Sequence, residues 1–294
     1  MKDSESGPPG EGRARSASGR PVEPRESGAS FAGGKVVLDH PAEAVARLVI
    51  SNPDKRNALD HDILDALADA VPQLANGISI RCLIVTGAGK VFSAGYDIGG
   101  IPDEVFAEEA ERLVAHPFHR AIEAVEAFPF PTLAAVNGHA LGGGLELALS
   151  CDLRIAASGA KLGMPPAKLG LIYGHTGIQK FIDTVGVART RELFLVGANV
   201  DADRAEQIGL VNRVVPPEIL EESAVELGAE IAGNAPLSLK GNKEIIRRLT
   251  SFPRLSEEAE REVIELRMSS FRTDDFREGV RAFGEKRPPR WKGS

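Results

Sequence analysis

The chain has 294 residues, of which 43% are hydrophobic and 26% are charged, and its formal net charge is −7 at pH 7. This composition is typical of a globular protein with a substantial core, and the negative charge argues against nucleic acid as a partner. No apolar run has the length of a membrane span and no signal-peptide core opens the sequence, so we expect no association with a membrane.

The first 34 residues are rich in Gly, Pro and Ser, with Phe31 as the one aromatic residue. Such a segment buries too little apolar surface to offset its ordering entropy, so we predict a disordered tail over residues 1–34. Beyond it, strand-like and helix-like segments alternate. The predicted strands are 45–51, 81–86, 131–136 and 152–157, and a helix is predicted over 60–74. This order predicts an α/β core with parallel strands.

From about residue 176 onward the pattern is mostly helical. Apolar residues share one helical face at Leu220, Ala224, Leu227 and Ile231. Further helices are predicted over 236–249, 255–270 and 273–286. A helix-rich end of this kind either covers the α/β core or packs on another subunit.

Two glycine-containing loops, residues 91–98 and 137–146, each follow a predicted buried strand. Open α/β sheets bind ligands at the carboxyl ends of their strands, and neither loop has a nucleotide-binding fingerprint. The second loop has three consecutive glycines, Gly142 to Gly144, and then Glu146. Glycine allows close backbone approach, and the first N–H groups of a helix lack partners. We therefore predict an oxyanion hole with one N–H group from each loop.

Four motifs together resemble the enoyl-CoA hydratase/isomerase (crotonase) superfamily: Asn52–Leu59 (NPDKRNAL), Phe92–Asp97 (FSAGYD), Ala134–Glu146 (AAVNGHALGGGLE) and Ala205–Asn212 (AEQIGLVN). The resemblance runs from about residue 36 to the C-terminus. It implies a crotonase-like (ClpP/crotonase) spiral of ββα units over residues 35–230 and a helical trimerisation region over 231–294. It also implies an acyl-CoA lyase that acts on a thioester as a homotrimer or dimer of trimers. No cofactor is implied beyond the coenzyme A moiety.

The resemblance assigns the oxyanion hole to the backbone N–H groups of Tyr96 and Gly143. It assigns the coenzyme A cleft to Lys55, Arg56, Ala58, Ala94, Asp97, Ile98 and Gly142. Alternative interpretations are a solvated surface charge for Lys55 and a turn-forming residue for Asp97.

Glu146 matches the first of the two glutamates that hydratases of this family use, and the second position is Pro166. Proline cannot titrate, which counts against two-carboxylate hydration and against the simple isomerases. The segment from Pro166 to Tyr173 is similar instead to the branch that decarboxylates methylmalonyl-CoA, in which a tyrosine stands at the position of Tyr173.

Decarboxylation requires no strong base, and a neutral phenol can donate a hydrogen bond to the substrate carboxylate. We therefore predict a decarboxylase of a malonyl-type thioester. The alternatives are a one-glutamate enoyl-CoA hydratase and a non-catalytic CoA-binding subunit. Glu146 can also be interpreted as a helix-capping carboxylate, and Tyr173 as a core aromatic residue.

The histidines and cysteines give weaker signals. His175 either lines the pocket or lies on the surface, and we interpret His116, His119 and His139 as structural, without a metal site. Cys82 and Cys151 lie in apolar stretches, which is typical of buried thiols in a reducing compartment. The expected location is the cytoplasm.

Overall fold

The structure is a computed structural model that describes residues 28–97, 117–250 and 255–293, together with positions 109 and 112. In chain order its strands are β1 (Ser30–Phe31), β2 (Val36–Ala42), β3 (Val45–Ile50), β4 (Cys82–Gly87), β5 (Val91–Ser93), β6 (Thr132–Val136), β7 (His139–Leu141), β8 (Leu153–Ala157), β9 (Lys161–Gly163), β10 (Val200–Asp201) and β11 (Arg213–Val215).

The helices of the described part are α1 (His61–Leu74), α2 (Pro117–Ala127), α3 (Gly143–Leu149), α4 (His175–Arg191), α5 (Ala202–Gln207), α6 (Leu220–Ala232), α7 (Pro236–Thr250), α8 (Glu257–Ser270) and α9 (Asp274–Gly284). Each predicted strand and helix coincides with one of these elements to within about two residues. None of the described helices has both the length and the apolar character needed to cross a membrane.

A seven-stranded sheet in the order β1-β2-β3-β4-β6-β8-β11 forms the centre of the fold. The strands from β3 to β11 pair in parallel, as the alternation of strands and helices predicts, while β1, β2 and β3 pair antiparallel. All five residues of β6 are buried, which explains its continuous apolar sequence. Helix α6 covers one face of the sheet, and α1, α2 and α3 contribute to the core on the other.

A second sheet, in the order β10-β9-β7-β5, is built from strands of two or three residues. Strands β6 and β7 are followed by α3, and β8 and β9 are followed by α4. The main-sheet strand, the short second-sheet strand and the helix thus form the ββα unit of the crotonase-like fold, and they repeat along the chain.

The C-terminal helices pack back on the segment that follows β9. Phe271 and Phe276 form a buried cluster with Leu171. A Cβ atom at Gly279 in α9 would lie 2.4 Å from the carbonyl oxygen of Leu169, so the helix packs directly on the backbone of the segment that follows β9. Several apolar side chains of α7 and α8 remain exposed, including Leu237, Ile245, Ile246, Leu249, Ile264 and Leu266.

The predicted end of the tail needs correction. Residues 1–27 lie outside the described part, but Ser30 and Phe31 pair with Val37 and Val36 as β1. The N–H group of Leu38 also donates to the carbonyl oxygen of Ala29 at 2.8 Å. Edge pairing with β2 orders these residues despite their composition, because backbone hydrogen bonds do not depend on apolar side chains.

Candidate active site

The two glycine-containing loops meet at Gly95, between β5 and the start of α3. Gly95 has φ +95°, and a Cβ atom there would lie 2.8 Å from the carbonyl oxygen of Leu141 and 3.3 Å from the nitrogen of Gly143. Only glycine accommodates both the positive φ and this close approach. The backbone next to Tyr96 is thereby held against the first residue of α3.

The backbone N–H groups of Tyr96 and Gly143 have no hydrogen-bond acceptor among the described residues. The neighbouring backbone groups are paired. The N–H group of Leu59 donates to the carbonyl oxygen of Gly95 at 2.8 Å, and that of Asp97 donates to the carbonyl oxygen of Leu59 at 3.1 Å. The N–H group of Gly142 donates to Gly163 at 2.9 Å. Among the described residues the amide of Gly142 is thus paired, and the two predicted donors are not.

Three side chains form a hydrogen-bonded chain beside α3. The hydroxyl of Tyr173 donates to Oε2 of Glu146 at 2.5 Å, and it lies 3.3 Å from the hydroxyl of Tyr96, where either oxygen can be the donor. Glu146 and Tyr173 are 5% and 8% exposed, and Tyr96 is more exposed than either. Glu146 and Tyr96 are the two ends of this chain, and Tyr173 lies between them.

Packing fixes the positions of these groups. A Cβ atom at Gly177 in α4 would lie 2.6 Å from Cε1 of Tyr173 and 2.9 Å from Oε2 of Glu146. The ring of Tyr96 packs edge-on against Phe118, with centroids 4.8 Å apart, and covers Gly143, where a Cβ atom would lie 2.7 Å from its Cε1. Small residues in α3 and α4 thus make room for the two phenol rings.

Burial favours the neutral form of each group in the chain. It raises the pKa of the Glu146 carboxyl above its ordinary value of 4.5, against the hydrogen bond from Tyr173 and the charges of Lys180 and Arg267, which lower it. Burial also raises the pKa of the Tyr173 and Tyr96 phenols, and the charge on Glu146 acts in the same direction. Both phenols are consequently proton donors near neutral pH.

Pro166 is buried and starts a short 3-10 turn over Pro166–Leu169. The charge of Glu126 also raises the pKa of the Glu146 carboxyl. Glu126 is itself paired with Lys180 at 2.6 Å. In the described part of the chain, the hydrogen-bonded group around Glu146 therefore contains two phenols and no second carboxylate.

The structure brings together most of the residues assigned to the coenzyme A cleft. Lys55 and Asp97 form an ion pair at 2.6 Å, and the N–H group of Ala94 donates to Arg56 at 3.1 Å. Arg56 itself is exposed and has φ +54°, and Ala58 is buried behind it. Ile98 lies outside the described residues.

No hydrogen bond or ion pair joins His119, His139 or His175 to this hydrogen-bonded chain in the described part of the structure. His175 begins α4, and its Nε2 lies 3.3 Å from Oε1 of Glu260. His119 pairs with Glu123 at 2.9 Å, and Nδ1 of His139 accepts a hydrogen bond from the N–H group of Lys161. His116 lies outside the described residues.

Sequence reasoning missed three contributors to the site: the phenol of Tyr96, Gly177 and Arg267. The guanidinium of Arg267 lies beside Gly174, where a Cβ atom would be 3.2 Å from its Nη1. Arg267 is 121 positions from Glu146, and no local pattern in the sequence relates them. The phenol of Tyr96 could have been found from the sequence, because the chain has two tyrosines and both lie in segments that resemble the family.

Comparisons with known proteins agree on one family. A family model described as enoyl-CoA hydratase/isomerase matches residues 41–294. A short-chain-enoyl-CoA hydratase of Clostridium acetobutylicum is 36% identical over 250 residues, which cover 83% of this chain and 92% of the relative.

Solved structures are also similar. A methylmalonyl-CoA decarboxylase in complex with 2-nitronate-propionyl-CoA has a TM-score of 0.80 and 30% identity, covering 88% of this chain and 99% of that one. An enoyl-CoA hydratase from Bacillus anthracis has a TM-score of 0.69 and 34% identity, covering 88% and 100%. The fold, the four motifs and these similarities together establish that the chain belongs to the enoyl-CoA hydratase/isomerase (crotonase) family of enzymes.

Proposed function

We propose that the protein decarboxylates a malonyl-type acyl-CoA through a thioester enolate. The observation that carries this proposal is the composition of the hydrogen-bonded group around Glu146, in which Tyr173 donates to the one carboxyl present. The family resemblance assigns the position of the second glutamate to Pro166, which cannot titrate. Removal of CO₂ supplies the electron pair of the enolate, so the reaction needs no base to abstract a proton from carbon.

The proposed oxyanion hole consists of the N–H groups of Tyr96 and Gly143. Each of these N–H groups lacks an acceptor in the described part of the chain, and the two lie on the two loops that meet at Gly95. Both would bind the thioester oxygen more strongly as it gains negative charge, and each such donor contributes roughly 3–4 kcal/mol to catalysis. The enolate is the species that this arrangement stabilises best.

Tyr173 is the proposed ligand of the carboxylate that will leave as CO₂. When Glu146 is neutral, its O–H group can donate to Tyr173, and the phenol proton is then free to point toward the substrate. A charged Glu146 would repel the substrate carboxylate and hold that proton. The raised pKa of Glu146 therefore favours the form of the site that accepts an anion.

Lys55, with Arg56 and Asp97 beside it, is the proposed contact for the phosphates of coenzyme A. Its side chain is 56% exposed and is held by Asp97, so the ammonium group remains accessible. The TM-score with the decarboxylase, 0.80, is also higher than the 0.69 with the hydratase, although the hydratase is more identical in sequence. That difference supports the decarboxylase without excluding hydration.

A second candidate is a one-glutamate enoyl-CoA hydratase. It is favoured by the Clostridium relative, whose name assigns it that activity at 36% identity. In that reaction Glu146 would orient a water molecule for addition to the double bond. A third candidate, a CoA-binding subunit without turnover, would keep the cleft and the loops alone.

Incubation with methylmalonyl-CoA and, separately, with crotonyl-CoA distinguishes the three. We expect CO₂ release from the first and no hydration of the second. Hydration without CO₂ release would replace the first candidate by the second, and binding of both thioesters without turnover would favour the third. Glu146→Gln keeps the size of the side chain and removes its titratable proton. This variant should still bind the thioester, and so it separates a loss of turnover from a loss of binding.

We also propose that the protein works as a homotrimer or dimer of trimers in the cytoplasm. The exposed apolar side chains of α7 and α8 are suited to contact with another copy of the chain. Cys82 and Cys151 are buried free thiols, as expected in a reducing compartment. Light scattering of the purified protein tests the assembly.

A further inference from the structure

We infer that the phenol of Tyr96 delivers the proton that replaces CO₂ at the α-carbon, and that Tyr173 and Glu146 resupply it. This inference rests on the proposed decarboxylation. It gives Tyr96 a second role, carried by its side chain, in addition to the role proposed for its backbone N–H group.

The first argument is connectivity. Oε2 of Glu146, the hydroxyl of Tyr173 and the hydroxyl of Tyr96 are joined by successive contacts of 2.5 and 3.3 Å. Each oxygen can both donate and accept a proton when its group is neutral. A proton can therefore pass from the carboxyl group to the phenol of Tyr96 by exchange along two existing hydrogen bonds.

The second argument is polarity. With Glu146 ionised, Tyr173 must donate inward, because a carboxylate can only accept. Once CO₂ has left, Tyr173 no longer donates to the substrate carboxylate. With Glu146 neutral, its O–H group can then donate to Tyr173, Tyr173 can donate to Tyr96, and the proton of Tyr96 is directed away from Tyr173. The buried carboxyl thus determines whether the phenol of Tyr96 offers a proton to the cleft.

The third argument is position. As a whole residue Tyr96 is less buried than Glu146 or Tyr173, and its ring lies over Gly143. The thioester oxygen is proposed to bind the backbone of these same two residues, and the α-carbon is one bond from the thioester carbon. Tyr173 lies between Glu146 and Tyr96 and is already assigned to the leaving carboxylate, so Tyr96 is the phenol available to protonate carbon.

The step balances as follows. The bond between the α-carbon and the carboxylate breaks, CO₂ leaves, and the electron pair enters the enolate. As the enolate returns to the thioester, that pair forms a C–H bond with the proton of Tyr96. Tyr96 takes a proton from Tyr173, Tyr173 takes one from Glu146, and a proton taken up from solvent restores the chain once the product has left. One proton is consumed for each CO₂ released, and no oxidant or reductant takes part.

The configuration of the product tests the inference. Methylmalonyl-CoA is converted in D₂O in a short reaction, and the deuterium at C2 of the propionyl-CoA is analysed for configuration. A fixed donor gives one configuration, whereas water reaching the enolate from both faces gives a mixture. We expect one configuration from the wild type, and from Tyr96→Phe continued CO₂ release with a mixture.

The rate gives a second readout. Since protonation follows loss of CO₂, the rate of CO₂ release from Tyr96→Phe should fall by less than the ~100-fold that removal of a general acid from a rate-limiting step causes. Tyr173→Phe keeps the donor, so its first turnover should still give one configuration. Thr190→Val, which removes a buried hydroxyl that bonds to Gly186 elsewhere in α4, is the matched control and should behave as wild type.

Three results would overturn the inference. One configuration from Tyr96→Phe would show that another group delivers the proton. A mixture from the wild type would show that no fixed donor exists, and this result needs no variant to fold. Absence of CO₂ release from the wild type would remove the proposed function itself, and is distinguished from the other two because no product forms.

Discussion

The hydroxyl of Tyr173 donates to Oε2 of Glu146 across 2.5 Å, and both side chains are less than a tenth exposed. A phenol and a carboxyl this close titrate together, so the ionisation of Glu146 decides the direction in which the phenol donates. The acid–base behaviour of the site and the stability of the fold therefore depend on the same contact.

Glu146→Gln should stabilise the protein increasingly as the pH rises. Burial raises the pKa of Glu146, so above pH 4.5 the folded protein binds more protons than the unfolded chain. The free energy of unfolding of the wild type therefore falls as the pH rises from 4.5 to the raised pKa of Glu146. The decrease is at most about 1.4 kcal/mol per pH unit. Glutamine does not titrate. We expect the Tm of the variant minus that of the wild type to increase from pH 5 to pH 8.

Glu278→Gln is the control for this series. Arg287 lowers the pKa of Glu278 to about 2, so that carboxyl is ionised in the folded protein throughout this range and in the unfolded chain from about pH 6 upward. Its Tm difference should therefore not vary with pH from about pH 6 to pH 8. A flat difference for Glu146→Gln as well would contradict a raised pKa in the folded state.

Gly143→Ala should impair turnover while leaving the fold intact. The added Cβ atom would lie 2.7 Å from Cε1 of Tyr96, so the ring and the adjacent backbone must move. Misplacement of about 1 Å can cost on the order of 100-fold in rate, and we expect a loss of that size in kcat/KM. Steady-state kinetics and thermal unfolding measure the two effects separately.

Gly284→Ala is the matched glycine control. Nothing lies within 4 Å of a Cβ atom at this exposed last residue of α9, and alanine is favoured over glycine in a helix by up to about 1 kcal/mol. We expect unchanged activity and slightly higher stability. Wild-type kinetics for Gly143→Ala would show that the first residue of α3 does not need to be glycine.

Lys55→Met should raise the KM for the CoA thioester about five- to tenfold, which corresponds to roughly 1–1.4 kcal/mol, with little change in kcat. The exposed ion pair with Asp97 contributes little to stability, so the Tm should not change. The effect should shrink at high salt, because screening weakens a phosphate contact. Lys240→Met, on the surface of α7, is the control, and an equal KM for both variants would favour the surface-charge interpretation of Lys55.

Asp152→Asn should destabilise the protein by about 1–3 kcal/mol. Oδ2 of Asp152 accepts hydrogen bonds from the N–H and hydroxyl groups of Thr132 and from Nζ of Lys243, which joins β6 to α7. Asp65→Asn, which affects an exposed pair with Arg120, should change the free energy of unfolding by less than about 0.5 kcal/mol. Urea unfolding of both variants compares them, and equal midpoints would contradict the prediction.

The fold was largely predictable because its main elements have strong local signals. The helix α1 begins after Asp60, whose side chain accepts from the N–H group of Ile63, and its apolar spacing follows at once. Strands of three residues such as β7 and β9 are too short to show alternation, and the second sheet was therefore not predicted. The pairing of Ser30–Phe31 was missed because it depends on the backbone of β2.

The site was predictable where it is local and unpredictable where it is not. The two loops, Glu146 and the backbone of Tyr96 and Gly143 belong to motifs that are contiguous in sequence, so they could be named as candidates from the sequence, and their roles stay predictions. The contact between the hydroxyls of Tyr96 and Tyr173 joins residues 77 positions apart, and it arises only when β5, α3 and α4 are packed together. A single sequence contains no information on such a side-chain distance.

The two tyrosines of the chain both belong to the hydrogen-bonded chain at Glu146. A protein grown with ¹⁹F-labelled tyrosine would therefore give two resonances, and both would come from the site, without background from the rest of the molecule. Line shape and chemical shift on addition of a thioester would then report on each phenol individually. Because both tyrosines belong to the site, tyrosine labelling reports on the site alone.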